Sequence, residues 1–192
     1  VLHTPEGSCP IEISLPGIHM VINATAAALV GRLLGLSLEE IHAGIHNVTP
    51  VGGRSNLIKT KDKLVIDDCY NANPVSMKAA IDLLATATDR KVAILGDMFE
   101  LGEKEDSLHA EVGAYAVEQG IDAVYCVGTL SKAMYDAALE AYDGSQDVRY
   151  FADRDELMES LPDLLAPNDT ILVKASHGMG FAKVVEALTK EA

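Results

Sequence analysis

Residues 67–74, DDCYNANP, follow the apolar run 64–66 and precede a predicted helix at 75–87. Asn73 is a residue type that caps helices, and Pro74 suits the first helical turn, where a missing N–H leaves no hydrogen bond unmade. The apolar run is typical of a buried strand. The stretch therefore places carboxylates and amides just beyond the carboxyl end of a strand, which is where open α/β sheets bind ligands.

The chain after residue 55 alternates strand and helix patterns. A hairpin with strands at 56–60 and 63–67 comes first. The other predicted strands are 92–95, 123–127, 148–151 and 170–174, and the predicted helices are 75–87, 105–119, 131–142, 156–165 and 178–190. We therefore predict an α/β fold, Rossmann-like, with a mostly parallel, doubly wound sheet, helices on both faces and one antiparallel hairpin strand.

The first fifty residues carry a different pattern, a hairpin and two helices. Two short strands are predicted within residues 1–15, with the apolar alternation continuing to Leu15, and an alanine-rich helix follows at about 21–34. Ser37 opens the second helix with the capping-box sequence SLEE, and its apolar residues Ile41 and Ile45 are predicted to face inward. This segment is too small for an independent core. We interpret it as the end of a larger domain.

The domain boundary is predicted at the segment 49–53. Its proline and glycine residues interrupt helices and strands, and the segment has no apolar face that would pack on a core. The chain then has domains at 1–50 and 51–192. Its start shows neither an initiator Met nor a leader pattern, and we interpret it as a cut within the first of these domains.

The composition favours a folded, acidic protein with reduced thiols. Hydrophobic residues make up 48% of the 192 residues, and no apolar run approaches the length of a membrane span. The formal charge is −14, from 29 acidic and 15 basic residues. This charge argues against a nucleic-acid partner, because phosphate-backbone binders carry a basic face. The three cysteines are scattered without metal-type spacing, so we expect a cytoplasmic protein with no metal site in this chain.

Two loops that follow predicted strands have both a functional and a structural interpretation. In the first, Asp68 can accept the hydroxyls of a ribose while Asn71 and Asn73 orient a polar substrate; alternatively, the loop is an Asx-rich turn that caps a helix. In the second, residues 96–102, GDMFELG, two carboxylates can orient ligands or neighbouring loops. For this loop we favour the structural interpretation, in which its apolar residues Met98, Phe99 and Leu101 cover the core.

Residues 174–180, KASHGMG, stand at the predicted start of the last helix. A helix N-terminus offers free N–H groups and a positive dipole end, which suit an anion. Lys174, Ser176 and His177 would add donors to such a site. The alternative is a turn relieved by glycine, with Ser176 as the cap of the helix.

Three further residues are candidates for ligand contacts. Arg54 lies in the linker, and its guanidinium suits bidentate phosphate contact; a surface arginine in a loop is the alternative. His19 and Asn23 lie four residues apart at the start of the first helix and can share a face, although a buried amide bonded to the backbone also explains Asn23. His109 is predicted at a helix surface, without a role.

Several known phosphate or hydrolase motifs do not occur in the sequence. There is no GxxxxGK[ST] loop of the P-loop type and no GxGxxG after a strand, which argues against a phosphate cradle or a dinucleotide-binding module. There is no GxSxG elbow, so serine hydrolase chemistry has no support.

Five stretches together resemble the Mur ligases, in the order in which that family has them. They are PGxHxxxNA at 16–24, PVxGR at 50–54, DDxYNANP at 67–74, GDMxELG at 96–102 and KxSxG at 174–178. The resemblance runs through essentially the whole chain. It implies a protein of three domains, for a UDP-sugar, for ATP, and a Rossmann-like C-terminal domain. Residues 1–50 would then end the ATPase domain, and 51–192 would be the C-terminal domain.

The resemblance also implies a reaction. ATP phosphorylates the carboxylate of UDP-N-acetylmuramoyl-tripeptide, and the amine of D-alanyl-D-alanine attacks the acyl phosphate to form an amide in peptidoglycan precursor synthesis. Catalysis would depend on positioning and charge stabilisation. The P-loop and the Mg²⁺ ligands would lie in the upstream part, so the chain alone is expected to be inactive.

The site roles come from the same resemblance. Arg54 would reach the phosphates and act in catalysis as the domains close, with the linker around it as the hinge. The other roles would be adenine contact for His19 and Asn23, ribose contact for Asp68, and dipeptide contact for Asn71, Asn73, Ser176 and His177.

The sequence departs from the usual family pattern at four positions. Ile18 and Met20 stand where the family often has Arg and Asn, and Ala175 and His177 replace the common Gly and Arg of the last motif. The alternative to a ligase is a stand-alone, non-catalytic module that binds a nucleotide or a peptide. A sister ligase or a folylpolyglutamate-type ligase is a further alternative, against which the motif at 70–74 argues.

Overall fold

The structure is a computed structural model, and it describes residues 1–190. The chain divides into two compact units, the first at Val1–Val51 and the second beginning at Gly52.

The first unit consists of a hairpin and two helices, as predicted. Its elements are β1 (Leu2–Thr4) and β2 (Gly7–Cys9), which pair antiparallel, followed by α1 (Ile18–Leu33) and α2 (Leu38–His46). The predicted capping box is present: the Ser37 hydroxyl accepts the Glu40 N–H at 3.2 Å, and Glu40 Oε2 accepts the Ser37 N–H at 2.8 Å. The start of α2 therefore follows from its local sequence.

The predicted second strand was too long. The strand β2 ends at Cys9, because Pro10 has no N–H to donate to a strand ladder. Ile11 and Ile13 lie beyond it and pack instead against a small buried core. That core consists of Ala28, Ile41 and Ile45.

One face of α1 is apolar and exposed within the described chain. Its side chains Ile18, Leu29 and Leu33 are 66%, 60% and 78% exposed. Side chains of this kind are buried when a helix packs on a core. The first unit therefore covers only part of its own apolar surface.

The second unit is built on a six-stranded sheet. Its strands are β3 (Asn56–Lys59), β4 (Leu64–Asp67), β5 (Lys91–Gly96), β6 (Ala123–Val127), β7 (Asp147–Phe151) and β8 (Thr170–Lys174). They lie in the order β3-β4-β8-β5-β6-β7, with the β3–β4 pair antiparallel and every other pair parallel. The predicted fold class is confirmed, including the single antiparallel hairpin strand.

Helices cover both faces of the sheet. They are α3 (Pro74–Ala85), α4 (Glu105–Glu118), α5 (Ser131–Ala141), α6 (Arg154–Leu164) and α7 (Ala182–Thr189), with short 3₁₀ turns at Gly102–Lys104 and His177–Met179. Successive strand residues point to opposite faces, so Val65 joins one buried cluster and Ile66 the other. None of the helices in residues 1–190 has both the length and the apolar character that crossing a membrane requires.

The predicted start of the last helix was wrong. A 3₁₀ turn at His177–Met179 comes first, and α7 begins only at Ala182. Gly180 separates the two with a left-handed backbone, at φ 64°, which an α-helix cannot contain. The N-terminus of α7 therefore does not stand at Gly178, where we expected an anion site.

The predicted surface position of His109 was also wrong. Its side chain is fully buried. Its Nε2 accepts the Met98 N–H at 2.9 Å, and its Nδ1 lies 2.7 Å from the Glu105 carbonyl, to which it donates. His109 thus satisfies two backbone groups and holds the loop after β5 against α4.

Helices α4 and α5 pack closely at Gly113. A Cβ added at this position would lie 1.9 Å from the backbone oxygen of Met134, so any side chain forces the two helices apart.

We expect Gly113→Ala to lower the free energy of unfolding by about 3 kcal/mol, because overpacking against backbone cannot be relieved by a rotamer change. The loss would occur although alanine is the better helix former by up to ~1 kcal/mol. Urea denaturation of the chain measures it. Glu118→Ala, at an exposed position of the same helix, is the control and should stay within about 0.5 kcal/mol. Equal stability of both variants would contradict this packing.

Candidate functional site

The loops after β4, β8 and β5 meet at the carboxyl edge of the sheet, because these strands are neighbours in it. Asn73 begins α3 as predicted: its Oδ1 accepts the Ser76 N–H at 2.9 Å, and Pro74 is the first helical residue. The structural interpretation of Asn73 as a helix cap is thus confirmed. Asn71 is exposed.

Asp68 and Lys174 form a buried ion pair between the loop after β4 and the last residue of β8. Lys174 Nζ lies 2.6 Å from Asp68 Oδ2, with the two side chains 2% and 13% exposed. The same ammonium group donates to the Asn71 carbonyl at 3.0 Å. Lys174 is therefore bound within the protein and fixes the shape of the loop after β4.

The linker segment 53–55 is bound to the same loop. The Gly53 N–H donates to Asp67 Oδ2 at 2.8 Å, and the Ser55 N–H donates to Asp68 Oδ1 at 2.8 Å. In return, the Tyr70 N–H donates to the Gly53 carbonyl at 2.9 Å. Only glycine fits position 53, because its φ is +76° and an added Cβ would lie 3.0 Å from the Tyr70 nitrogen. Arg54 thus stands on a fixed backbone.

Three exposed side chains form a cluster above this backbone. The guanidinium carbon of Arg54 lies 4.0 Å from the centroid of the Tyr70 ring. The ring of His177 lies 5.7 Å from the same ring, tilted by 47°. The predicted residues Arg54 and His177 are therefore close to each other, because both contact the ring of Tyr70.

The predicted residue Ser176 has a different environment. It is 3% exposed, and its hydroxyl accepts the Phe99 N–H at 2.9 Å. Its own N–H donates to the Asp97 carbonyl at 3.0 Å. Ser176 therefore joins the loops after β8 and β5 and does not cap α7.

The loop 96–102 is largely structural, as we favoured. Asp97 Oδ1 accepts both the N–H and the hydroxyl of Ser131 at 2.7 Å, and Met98 is fully buried. Phe99 differs from the expectation, since it is 41% exposed and does not complete the core. Its ring lies beside Gly178, where an added Cβ would approach it to 3.0 Å.

The predicted residues His19 and Asn23 belong to the first unit, in the first turns of α1. Asn23 is exposed, and its amide nitrogen lies 3.8 Å from the sulfur of Met20. The alternative interpretation of Asn23, a buried amide bonded to the backbone, was therefore wrong. His19 is half-buried.

A cavity of about 380 Å³ adjoins the cluster, between the loop after β4 and α7. Its lining includes Asp67, Cys69, Tyr70, His177 and Glu186. Burial, and next the hydrogen bond to the Asp67 carboxylate, raise the pKa of Cys69 to about 12. A thiol in this state is a poor nucleophile.

The described part of the chain contains no candidate metal site. In residues 1–190, no group of three or more His, Cys, Asp or Glu side chains could hold a metal ion.

The loops at this sheet edge are those that carry the family motifs. A profile of the family described as "Mur ligase, glutamate ligase domain" matches residues 53–177. The chain belongs to the Mur ligase family.

Individual Mur ligases extend the similarity across both units. The UDP-N-acetylmuramoyl-tripeptide–D-alanyl-D-alanine ligase of Escherichia coli (strain K12) is 40% identical over 190 residues, which cover 97% of this chain and 40% of that protein. A crystal structure of MurF from Acinetobacter baumannii superposes with a TM-score of 0.87 at 31% identity, covering 98% of this chain and 41% of that one. The chain thus spans less than half the length of these relatives.

A third relative has a nucleotide bound. MurF ligase from Thermotoga maritima, solved in complex with ADP, superposes with a TM-score of 0.76 at 26% identity, covering 94% of this chain and 40% of that one.

The sequence interpretation missed Tyr70 and the Asp68–Lys174 pair. Tyr70 is part of the quoted Mur ligase motif. Its residue type predicts no particular ligand contact, whereas the carboxylate and amide side chains beside it do. The ion pair joins residues 106 positions apart. Local sequence carries no signal for such a contact.

We expect Lys174→Met to lower the free energy of unfolding by about 3–5 kcal/mol, since it leaves the Asp68 carboxylate uncompensated in a buried place. Urea denaturation of this Mur ligase chain measures the loss. Lys183→Met, which removes an exposed lysine from α7, is the matched control. If both variants unfold alike, the ion pair contributes nothing to holding the loops.

We expect iodoacetamide at pH 8 to alkylate Cys9, which is partly exposed, far faster than Cys69 or Cys126. Burial raises the pKa of both buried thiols, so at pH 8 they stay protonated. For Cys69 the thiolate fraction is roughly a thousandfold below that of an exposed cysteine.

Mass spectrometry of the native chain identifies the modified residues. The urea-unfolded chain, in which all three cysteines should react, is the control. Native Cys69 reacting as fast as Cys9 would contradict the described burial.

Proposed function

We propose that this chain is the C-terminal portion of an ATP-dependent ligase that joins D-alanyl-D-alanine to UDP-N-acetylmuramoyl-tripeptide through an acyl phosphate. The similarity to the Escherichia coli ligase over 97% of the chain supports the reaction. The observation that carries it within this chain is Arg54, whose guanidinium is exposed and has no carboxylate partner in residues 1–190. Such a group is available to bind phosphate oxygens.

The two units correspond, in this proposal, to two domains. The first unit would end the ATPase domain, and the second would be the C-terminal domain. The exposed apolar face of α1 supports the first assignment, since Leu29 and Leu33 require a covering surface. The similarity to relatives of more than twice its length agrees with it. The working protein would be cytoplasmic, where the nucleotide-linked precursor and ATP are found together.

The residues of this chain would act by positioning. Arg54 would contact the transferring phosphoryl group and stabilise its charge, as ATP phosphorylates the tripeptide carboxylate. Asn71 and His177, which are exposed at the same sheet edge, would orient the dipeptide so that its amine attacks the acyl phosphate. Ser176 and Asn73 would contribute by fixing the loops that carry these side chains.

The nucleotide roles of the remaining residues are also proposals. Asp68 would offer the ribose the lone pairs that its bonds to Lys174 and Ser55 leave open. His19 and Asn23 would contact the adenine. Mg²⁺ would be held by residues upstream of this chain.

The test is phosphate release from ATP by the complete gene product with UDP-N-acetylmuramoyl-tripeptide. We expect release that depends on D-alanyl-D-alanine and that is absent from the 192-residue chain. Release without dipeptide dependence would overturn the ligase assignment and favour a nucleotide- or peptide-binding module.

We expect Arg54→Ala in the complete product to lower kcat about 100-fold or more, since one charge-stabilising donor is typically worth that much. The free energy of unfolding should change by less than about 1 kcal/mol, because the side chain is exposed. Arg149→Ala is the matched control, because Arg149 lies in β7, the outer strand on the side of the sheet opposite β3. This variant should keep a normal kcat. Normal turnover of Arg54→Ala would remove Arg54 from the phosphate site.

A further inference from the structure

Arg54 differs from every other arginine of the chain in its partner. The other four arginines each form an ion pair with a carboxylate. These pairs are Arg32–Glu6, Arg90–Asp169, Arg149–Asp147 and Arg154–Asp155. Arg54 forms no ion pair in residues 1–190 and lies on the Tyr70 ring instead. In a chain of net charge −14, an arginine without a carboxylate requires an explanation.

Two aspartates stand next to Arg54, but their oxygens are already bound. Asp68 accepts from Lys174 and from the Ser55 N–H. Asp67 is buried, and its two oxygens accept from the Gly53 N–H and from the Cys69 thiol. In each carboxylate both oxygens already accept a hydrogen bond, so neither offers two unoccupied oxygens to a bidentate guanidinium contact. The ring of Tyr70 is therefore the surface that remains for Arg54.

An aromatic ring holds a guanidinium without using its N–H groups. In a cation–π stack the cation lies over the ring face, and the five donors stay in the guanidinium plane. An ion pair would instead occupy two of them with a carboxylate. Tyr70 thus orients the charge and leaves all five donors of Arg54 for an incoming anion.

The backbone makes this stack specific. The Tyr70 N–H donates to the Gly53 carbonyl, and the N–H groups on both sides of Arg54 donate to the aspartates that precede Tyr70. Arg54 and Tyr70 therefore share one hydrogen-bonded frame, and their distance does not depend on a flexible linker. The Tyr70 hydroxyl makes no hydrogen bond within residues 1–190. The contact of the Tyr70 side chain with Arg54 is therefore made by its ring.

We infer that Tyr70 is the positioning residue for Arg54 in the ligase reaction: its ring holds the guanidinium, with all donors free, where the transferring phosphoryl group is bound. This inference rests on the proposed function for its catalytic consequence and on the geometry alone for the contact itself. The two parts are tested separately.

The kinetic test uses the complete gene product and three changes at these positions. Tyr70→Leu removes the ring and should lower kcat about two- to fivefold, the size expected for an exposed cation–π contact, whereas Tyr70→Phe should lose less than about twofold. In the background of Arg54→Ala, Tyr70→Leu should cause no further loss, since Tyr70 acts through Arg54. Tyr142→Leu, another exposed tyrosine, is the matched control.

Multiplicative losses in the double variant would overturn the inference, because they mean independent roles. Normal turnover of Tyr70→Leu would overturn it as well. A complete product without dipeptide-dependent turnover would overturn it together with the proposed function.

The contact itself is tested by NMR of the 192-residue chain, which needs no activity. The side-chain protons of Arg54 should show an upfield ring-current shift that Tyr70→Phe retains and Tyr70→Leu abolishes. Arg149 is the internal reference. The absence of this shift in the unmodified chain would overturn the inference while leaving the proposed function standing.

Discussion

The buried ion pair between Lys174 and Asp68 is the contact on which the sheet edge depends. It joins the loop after β4 to the end of the neighbouring strand β8, and it occupies an oxygen of the aspartate that would otherwise compete for Arg54. A buried pair is weak support for stability as such, because desolvation offsets its attraction. Its consequence here is specificity: the oxygens of Asp67 and Asp68 already accept hydrogen bonds, and Arg54 is left to the aromatic ring.

Several other contacts join the loops of this edge to one another. Asp97 binds Ser131, the Ser176 hydroxyl binds the loop after β5, and His109 holds that loop against α4. These bonds have partners that are far apart in sequence. Because the segment 53–55 is bound to Asp67 and Asp68, the backbone of Arg54 is tied to the end of β4 and the loop after it. The hinge in the linker stays a prediction, and these bonds favour a position for it before Gly53.

The sequence was sufficient for the fold because local rules and the global fold agree. Apolar strands alternate with patterned helices, and capping residues such as Asn73 and Ser37 mark where helices begin. The sequence prediction was wrong where a single backbone feature or a tertiary contact determines the end of an element or the burial of a side chain. Gly180 adopts a left-handed conformation that delays α7, and Pro10 ends β2. The buried His109 accepts the Met98 N–H from the loop after β5, a contact that the sequence pattern of its own helix does not show.

The sequence predicted the loops that form the candidate site. It was less successful in predicting whether a given side chain is open to a ligand or bound within the protein. Lys174 and Ser176 were expected to offer donors to a ligand, but both are bound within the protein. Residue type alone cannot tell a ligand contact from a support, since both need the same donors and acceptors. Partner and exposure can: among the predicted site residues of this edge, the exposed side chains that make no hydrogen bond or ion pair within residues 1–190 are those of Arg54, Asn71 and His177. An acidic chain can thus present one positive group to a phosphate, provided that its neighbouring carboxylates are already bound.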